Sequence, residues 1–289
     1  MFIANSVMIF FILIILFTCV NIFANIYFLK NNNTISETYL NEIKDIEIKE
    51  QTINITASDI DIYLINLKWN KDRYKNFLKL YNSTDLSPIA IKTVEAVEGK
   101  KINDIKSLVT EKAYLELTDA ERLGYRTKHY QITRGAIGCY LSHLKTYELV
   151  SNSDKDYAIV FEDDVKFKTS TILQEMQEKI KIMPPDWDLM LLGCVCYVCH
   201  KYEDYYDASK FILLHGYVIK KSSAKKILEL LKDKPIEKQI DSKFSDMILE
   251  GKLKVYCLKE QLAVQNNIYN TNIQLPIKRI EGVNPFADL

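Results

Sequence analysis

Residues 157 to 167 read YAIVFEDDVKF, an apolar run that meets three consecutive acids, Glu162, Asp163 and Asp164, and then turns apolar again. Three adjacent carboxylates repel one another, so such a cluster is either well solvated or neutralised by positive charge that the neighbouring chain does not supply. With 38 Asp and Glu in 289 residues, about 0.6 acidic triplets arise by chance, so the setting of this one decides its meaning. A second string, CYVCH at residues 196 to 200, fits the C-x-x-C-H pattern of covalent haem attachment. Cys194, Cys196, Cys199 and His200 would also suffice for zinc. The chain has only four histidines and no evident second axial ligand for a haem. Disulfides or buried thiols are the expected state of these cysteines, with at least one bridge in an oxidising compartment.

The elements that must carry these groups alternate. YLINL, residues 63 to 67, predicts a strand, and NKDRYKNFLKLY after it spaces Tyr74, Phe77, Leu78 and Tyr81 as a helix face. IAIKTVEAV, residues 89 to 97, predicts a strand ended by Gly99. Thr118 and Glu121 have capping-box spacing ahead of RLGY. RGAIGCYLSHLKTYELV, residues 134 to 150, places Ile137, Leu141, Leu144 and, at its end, Leu149 on one helix face. YAIVF predicts a buried strand, TILQEMQEKIKIM a helix halted by Pro184 and Pro185, and DWDLMLLG a strand ending in glycine. KFILLHGYVI predicts one further strand, followed by a helix, KKSSAKKILELL, capped by Ser222 or Ser223. Strands alternating with helices predict an α/β domain around a mainly parallel sheet, in which ligands gather at the carboxyl ends of strands. The three acids stand at such an end, which favours a site over a solvated turn.

Lys plus Arg and Asp plus Glu are 38 each, so no net charge favours a nucleic acid, and a small or neutral substrate fits better. Val7 to Leu29 is 23 residues without a charge, long enough for a helix to span a bilayer. A membrane anchor at 1–29, a polar stem at 30–58 and a folded domain at 59–289 follow; a cleaved signal peptide is the rival reading of the first segment. Lys30 after the span weakly favours that side as cytoplasmic. Sequons at Asn32, Asn54 and Asn82 instead suit a domain in the secretory lumen. Cys19 belongs to the span, which leaves five cysteines outside it.

Six segments, YLINLKWNKDR, GAIGCYLSHL, VFEDDV, WDLMLLG, HGYVIKKSSAKKIL and PIEKQIDSKFSD, lie in one order over roughly residues 60 to 265. Together they resemble glycosyltransferase family 25, the LPS-biosynthesis and procollagen galactosyltransferase type, with a GT-A fold. The resemblance implies transfer of galactose or glucose from a UDP-sugar to a saccharide or a hydroxylated protein side chain, with inversion. It makes the EDD segment the counterpart of the DxD motif and the cation Mn2+, with Mg2+ as an alternative. Such a transfer expels a dianionic diphosphate whose charge a divalent ion neutralises. Glu162 and Asp164, at alternate positions, would face the ion together, with His215 completing its shell, while Asp163 turns to the ribose or a backbone amide.

Asn66, Arg73, Arg134, Ser142 and His143 are the implied nucleotide contacts. The two glycines of residues 134 to 138 would let a phosphate approach a helix amino terminus. The base is Asp241, or failing that Asp246. Plainer roles stand beside these: a surface ion pair for Arg73, helix packing for the glycines, structural hydrogen bonding for both histidines, and dipole pairing for the two aspartates. The sequence departs from the family at Lys68, Trp69, Asn70 and Lys71, where a basic pair and a proline are usual. It departs again at Lys220 and Lys221, where Ser-Arg is usual. A catalytically inactive GT-A recognition or adhesion module is the alternative function.

Overall fold

The computed structural model describes residues 55 to 128, 130 to 266 and 274 to 278. The apolar run at 7 to 29, the stem up to residue 54 and the sequons at Asn32 and Asn54 lie outside them. Among the described residues no helix is long and apolar enough to cross a membrane.

Strand β1 (Ile60–Asn66) is buried along its whole length, and helix α1 (Lys71–Tyr81) follows it, as the spacing predicts. Strand β2 (Ile91–Glu95) pairs parallel to β1 on one side, and β3 (Tyr157–Glu162) pairs parallel to it on the other. Helix α2 (Glu111–Leu123) begins at a Thr110 cap whose side chain accepts from Ala113 N, and it ends at Gly124 with φ 73°. Thr118, read from its spacing as a helix start, is therefore inside the helix, where its hydroxyl donates to Leu115 O. Helix α3 (Arg134–Ser151) starts at Thr133, whose hydroxyl accepts from Ala136 N. After β4 (Val165–Phe167), helix α4 (Ile172–Ile182) stops before Pro184 as expected.

The second half departs from the sequence reading. Strands β5 (Leu189–Leu191), β6 (Val195–Lys201), β7 (Tyr205–Ile212), β8 (Gly216–Lys220), β9 (Val255–Leu258) and β10 (Ala263–Gln265) surround helices α5 (Lys221–Leu231) and α6 (Ile240–Leu249). The large sheet has the order β2-β1-β3-β8-β5-β9-β7-β6, and β10 pairs with β4 in a two-stranded sheet of its own. β8 runs antiparallel to both β3 and β5, and β7 antiparallel to both β6 and β9. The sheet is thus mixed, not mainly parallel. An apolar run carries no direction, and the tight β6–β7 hairpin needs no crossover helix. KFILLHGYVI is two strands, because Leu213 takes φ 81° between them and β7 and β8 are not neighbours in the sheet. Lys220, in extended backbone, is the cap residue of α5, and Ser223 instead donates to Asp188 Oδ1 at 2.8 Å.

β3 lies between β1 and β8 with Ala158, Ile159, Val160 and Phe161 all buried. Burying Ile159, Val160 and Phe161 contributes roughly 1.5–3 kcal/mol each. Ala158 and Val160 face the same core as Ile137, Tyr140 and Tyr147 of α3. Phe161 meets Phe77 of α1 and Phe167 of β4. The end of β3 is thereby fixed from both faces.

Candidate active site

The chain goes from β1 outward to β2 and returns to the opposite side of β1 as β3, so the order reverses at β1. A crevice opens beyond the carboxyl ends of strands at such a reversal. Here it is a cavity of about 520 Å³. Its walls are Ile65, Leu67 and Trp69 at the end of β1, residues 96 to 100 after β2, Arg134, Gly135, Cys139 and Ser142 of α3, and the acids Glu162, Asp163 and Asp164.

The three acids are not solvated, and remote segments of this chain supply their partners. Arg73 of α1 places its NH1 3.0 Å from Asp163 Oδ1 and 3.5 Å from Asp164 Oδ2. Asn66 Nδ2 donates to Asp163 Oδ2 at 2.7 Å and Gln265 Nε2 to Asp164 Oδ2 at 3.1 Å. Glu162 turns the other way: His143 Nε2 lies 3.0 Å from its Oε1, and the Cys139 thiol 3.8 Å from the same oxygen. β3 stops at Glu162 while Asp163 and Asp164 form the turn into β4. Strand alternation therefore does not reach Asp164, and Arg73 gathers Asp163 and Asp164 together.

Burial would raise the Glu162 carboxyl, but the hydrogen bond and charge of His143 outweigh it and hold it below the usual range. Asp164 is pushed up to about 7 by burial and then by the charge of Glu162. Burial also raises Asp163, against the pull of Arg73. Neighbouring acids driven apart in this way are typical of sites that do chemistry.

Among the described residues three buried side-chain polar atoms have no hydrogen-bond partner, and two of them belong here: Asp164 Oδ1 and His215 Nδ1. His215 Nε2 lies 3.1 Å from Ala263 O. A carbonyl only accepts, so Nε2 carries the proton and Nδ1 keeps a lone pair. Burial lowers the His215 pKa, which maintains that neutral form. The backbone ties the same ring to the acids, since Glu162 N donates to His215 O at 2.9 Å. Asp164 borders the first cavity and His215 the second, and Glu162 lines both; a carboxylate oxygen and an imidazole lone pair without partners are donors of the kind a divalent cation takes.

A second cavity of about 320 Å³ shares Cys139, Glu162 and Gln274 with the first. It is bordered by Tyr130, His215, Gln239, Asp241 and Gln265. Asp241, in the first turn of α6, accepts from Ser242 N at 2.8 Å and Leu213 N at 3.3 Å. Burial outweighs these donors and pushes its carboxyl up to about 6.

Several expected contacts are placed differently. His143 is fully buried between Tyr217 and Glu162 and borders neither cavity, so it holds Glu162 instead of facing a ligand. Asn66 stands likewise behind Asp163. The space that Gly138 would offer a phosphate is filled by backbone, since a Cβ there would meet Val97 O at 2.5 Å. Arg134 borders the cavity while donating to Glu121 Oε1 at 2.6 Å and Ile102 O at 3.0 Å. Ser142 accepts from Val97 N at 2.8 Å. Asp246 is five residues beyond Asp241, about 140° round the helix. It pairs with Lys238 at 2.7 Å and borders neither cavity.

Cys139 and Gln265 were not marked in the sequence, and Trp69 was marked only as a departure from the family; position just after β1 was the available signal for Trp69, and nothing local marks Gln265. In CYVCH, Cys196 is bonded to Cys199, and Cys194 to Cys257. No thiolate remains in that string for haem or zinc.

A family model described as glycosyltransferase family 25 (LPS biosynthesis protein) matches residues 59–206. The chain is 34% identical over 138 residues to procollagen galactosyltransferase 2 of Mus musculus, covering 46% of this chain and 20% of that protein. It is 28% identical over 137 residues to the inactive glycosyltransferase 25 family member 3 of Mus musculus, covering 46% and 22%. The chain thus matches about one fifth of the length of these curated relatives. A solved Drosophila galactosyltransferase 7 complex with manganese, UDP-Gal and xylobiose is similar over 78% of this chain and 82% of its own, at 9% identity and a TM-score of 0.36.

Proposed function

The chain belongs to glycosyltransferase family 25, and from that premise we propose that it transfers a hexose, galactose or glucose, from a UDP-sugar to a saccharide or a hydroxylated protein side chain, with inversion. The observation that carries this reading is the pair of partnerless buried atoms, Asp164 Oδ1 and His215 Nδ1, beside Glu162. These residues would hold Mn2+, or Mg2+ in its place. When bound, the cation supplies positive charge to the diphosphate leaving group.

The remaining work falls to the chain's own side chains. His143 keeps Glu162 ionised and pointed, and Arg73 fixes the acidic turn. The apolar part of the first cavity, Ile65, Leu67, Ala96 and Val97, suits the base and ribose. Trp69 on its wall is 54% exposed, leaving a ring face for the base to stack on. Asp241 takes the proton of the acceptor hydroxyl as that oxygen bonds to the anomeric carbon and the carbon–phosphate-oxygen bond breaks. Its cavity adjoins the donor cavity through Glu162 and Cys139.

UDP release measured with and without Mn2+ tests the reading, with cation-dependent release expected. Base–aromatic stacking is worth about 1–3 kcal/mol, so Trp69→Ala is expected to raise KM for the UDP-sugar about 10-fold with kcat little changed. UDP should quench tryptophan emission, because the only other tryptophan, Trp187, is buried beneath Lys220.

The pH profile gives a further expectation. Asp241 must be ionised to act as base, so kcat/KM should fall tenfold per unit below pH about 6. The limb of an ordinary carboxylate would lie near pH 4. Because the folded value lies above the unfolded one, this group's contribution to stability is present at low pH and lost as pH rises through about 6. Asp241→Asn is expected to lower turnover by about 10²–10⁴-fold above pH about 6, with the gap narrowing as pH falls below it; a variant with wild-type turnover at pH 8 would remove Asp241 from the mechanism.

The proposed location is the secretory lumen behind the anchor at 1–29. Two disulfides suit an oxidising compartment, and Asn82 of one sequon is exposed at the end of α1. Protease protection in sealed vesicles tests it. Recognition without turnover is the second reading, because Arg73 already neutralises part of the acidic cluster; UDP binding with no cation-dependent release would favour it.

A further inference from the structure

Cys139 has no role in the transfer proposed above, yet it is the one free cysteine among the described residues and borders both cavities. It stands four residues before His143 on α3, so the two side chains lie one turn apart on the same helix face. Both converge on Glu162. Cys139 Sγ is 3.8 Å and His143 Nε2 3.0 Å from the same Oε1, and the three atoms lie within 4.8 Å of one another. A tetrahedral zinc ion, with bonds of about 2.3 Å to sulfur and 2.0–2.1 Å to nitrogen and oxygen, separates such ligands by about 3.3–3.6 Å. The two separations from Glu162 need changes of a few tenths of an ångström, and the sulfur-to-nitrogen separation, at most 4.8 Å, must close by up to about 1.2 Å.

The surroundings of the cluster also suit zinc. Tyr217 donates its hydroxyl hydrogen to Tyr147 at 3.1 Å, so its oxygen accepts from His143 Nδ1 at 2.9 Å. That bond fixes the ring with Nε2 aimed at the cluster, the role of an outer partner in many zinc sites. Three protein ligands leave a fourth position, and Cys139 and Glu162 open it to the cavities. A thiolate with an imidazole selects zinc over manganese, which prefers oxygen.

We propose that Cys139, His143 and Glu162 form a zinc site that inhibits transfer, because zinc held there draws Glu162 away from the cation of the donor site. Binding displaces two protons to solvent, that of the Cys139 thiol and the one His143 Nε2 shares with Glu162. The inhibition rests on the donor-site reading of Glu162, whereas the binding does not.

Cobalt is the spectroscopic probe, added to the full chain in non-reducing buffer so that both disulfides stay closed. One cobalt per chain is expected, with the visible bands of a tetrahedral ion and a near-ultraviolet sulfur-to-cobalt band, both abolished by one equivalent of zinc. Losing a ligand should weaken zinc by about 100-fold or more. Cys139→Ser and Cys139→Ala should both lose the sulfur band, and half-inhibition by zinc, measured against each variant's own uninhibited Mn2+-dependent turnover, should shift accordingly. Wild-type protein without a sulfur band, or well-folded variants with unchanged zinc affinity, would overturn the site. A sulfur band without inhibition of an active enzyme would overturn the inhibitory half. If the chain released no UDP under any condition while the cobalt spectrum appeared, the donor reading would fail and the zinc site would stand.

Discussion

Asp164→Ala is expected to lower cation-dependent transfer about 10³-fold or more while leaving the fold at least as stable at pH 8. Loss of one preorganised electrostatic group at a reacting centre removes about 10²–10³ in kcat, and here the lost group also helps to hold the cation. Stability moves differently. The folded Asp164 value of about 7 lies above its unfolded value, so its contribution is present at low pH and lost as pH rises through about 7. At pH 8 the ionised carboxylate burdens the fold, and truncation relieves it. Arg73 is not orphaned, since Asp163 Oδ1 stays 3.0 Å from it. Mn2+ at 100 times its Kd at pH 8 should stabilise wild type by about 2.7 kcal/mol there, and the same concentration should give a smaller gain at pH 6 and none in the variant. Thermal denaturation with and without Mn2+, beside a UDP-release assay, measures both. Wild-type turnover in a folded Asp164→Ala protein would remove this residue from the site.

The site was legible where local pattern sets it. The apolar run YAIVF fixes a buried strand, its acids fall at the carboxyl end, and the helix expected over 134–150 from its periodicity runs Arg134–Ser151. What the acids touch was not legible. Arg73 and Asp163 are 90 residues apart and Glu162 and His143 are 19 apart, and no local spacing encodes such pairings. Strand direction was equally hidden, because GYVIK is equally apolar whichever way it runs; only the tertiary path sets β8 antiparallel to β3. Thr118 shows a motif that fits by chance: its spacing to Glu121 satisfies a capping box, but Thr110 begins the helix and Glu121 pairs with Arg134. His143 was visible only as a histidine on that helix. The Tyr217 hydroxyl that orients it comes from a strand 74 residues away.

Gly99→Ala is expected to be the most destabilising single-methyl change near the site. A Cβ at Gly99 would lie 1.8 Å from Arg134 O and 2.4 Å from Arg134 C, both backbone atoms that no side-chain rotation can move. The contact is reciprocal: a Cβ on Gly138 would lie 2.8 Å from Gly99 N. The loop after β2 and the first turns of α3 therefore touch backbone to backbone, tied by the Val97 N to Ser142 Oγ hydrogen bond. An added methyl must lift the helix, with a penalty of about 3 kcal/mol or more. At roughly 2–4 °C per kcal/mol for a domain of this size, Tm should fall by about 6–12 °C. The lifted helix carries His143, so Glu162 loses its clamp and turnover should fall further than Tm alone explains. Gly124→Ala is the contrast. It has open space around it but φ 73°, so only backbone strain of about 1–2 kcal/mol is expected, with activity at wild-type level below its melting range. If Gly99→Ala melted within about 2 °C of wild type, less than about 1 kcal/mol would separate them, and α3 could not be seated on that loop as described.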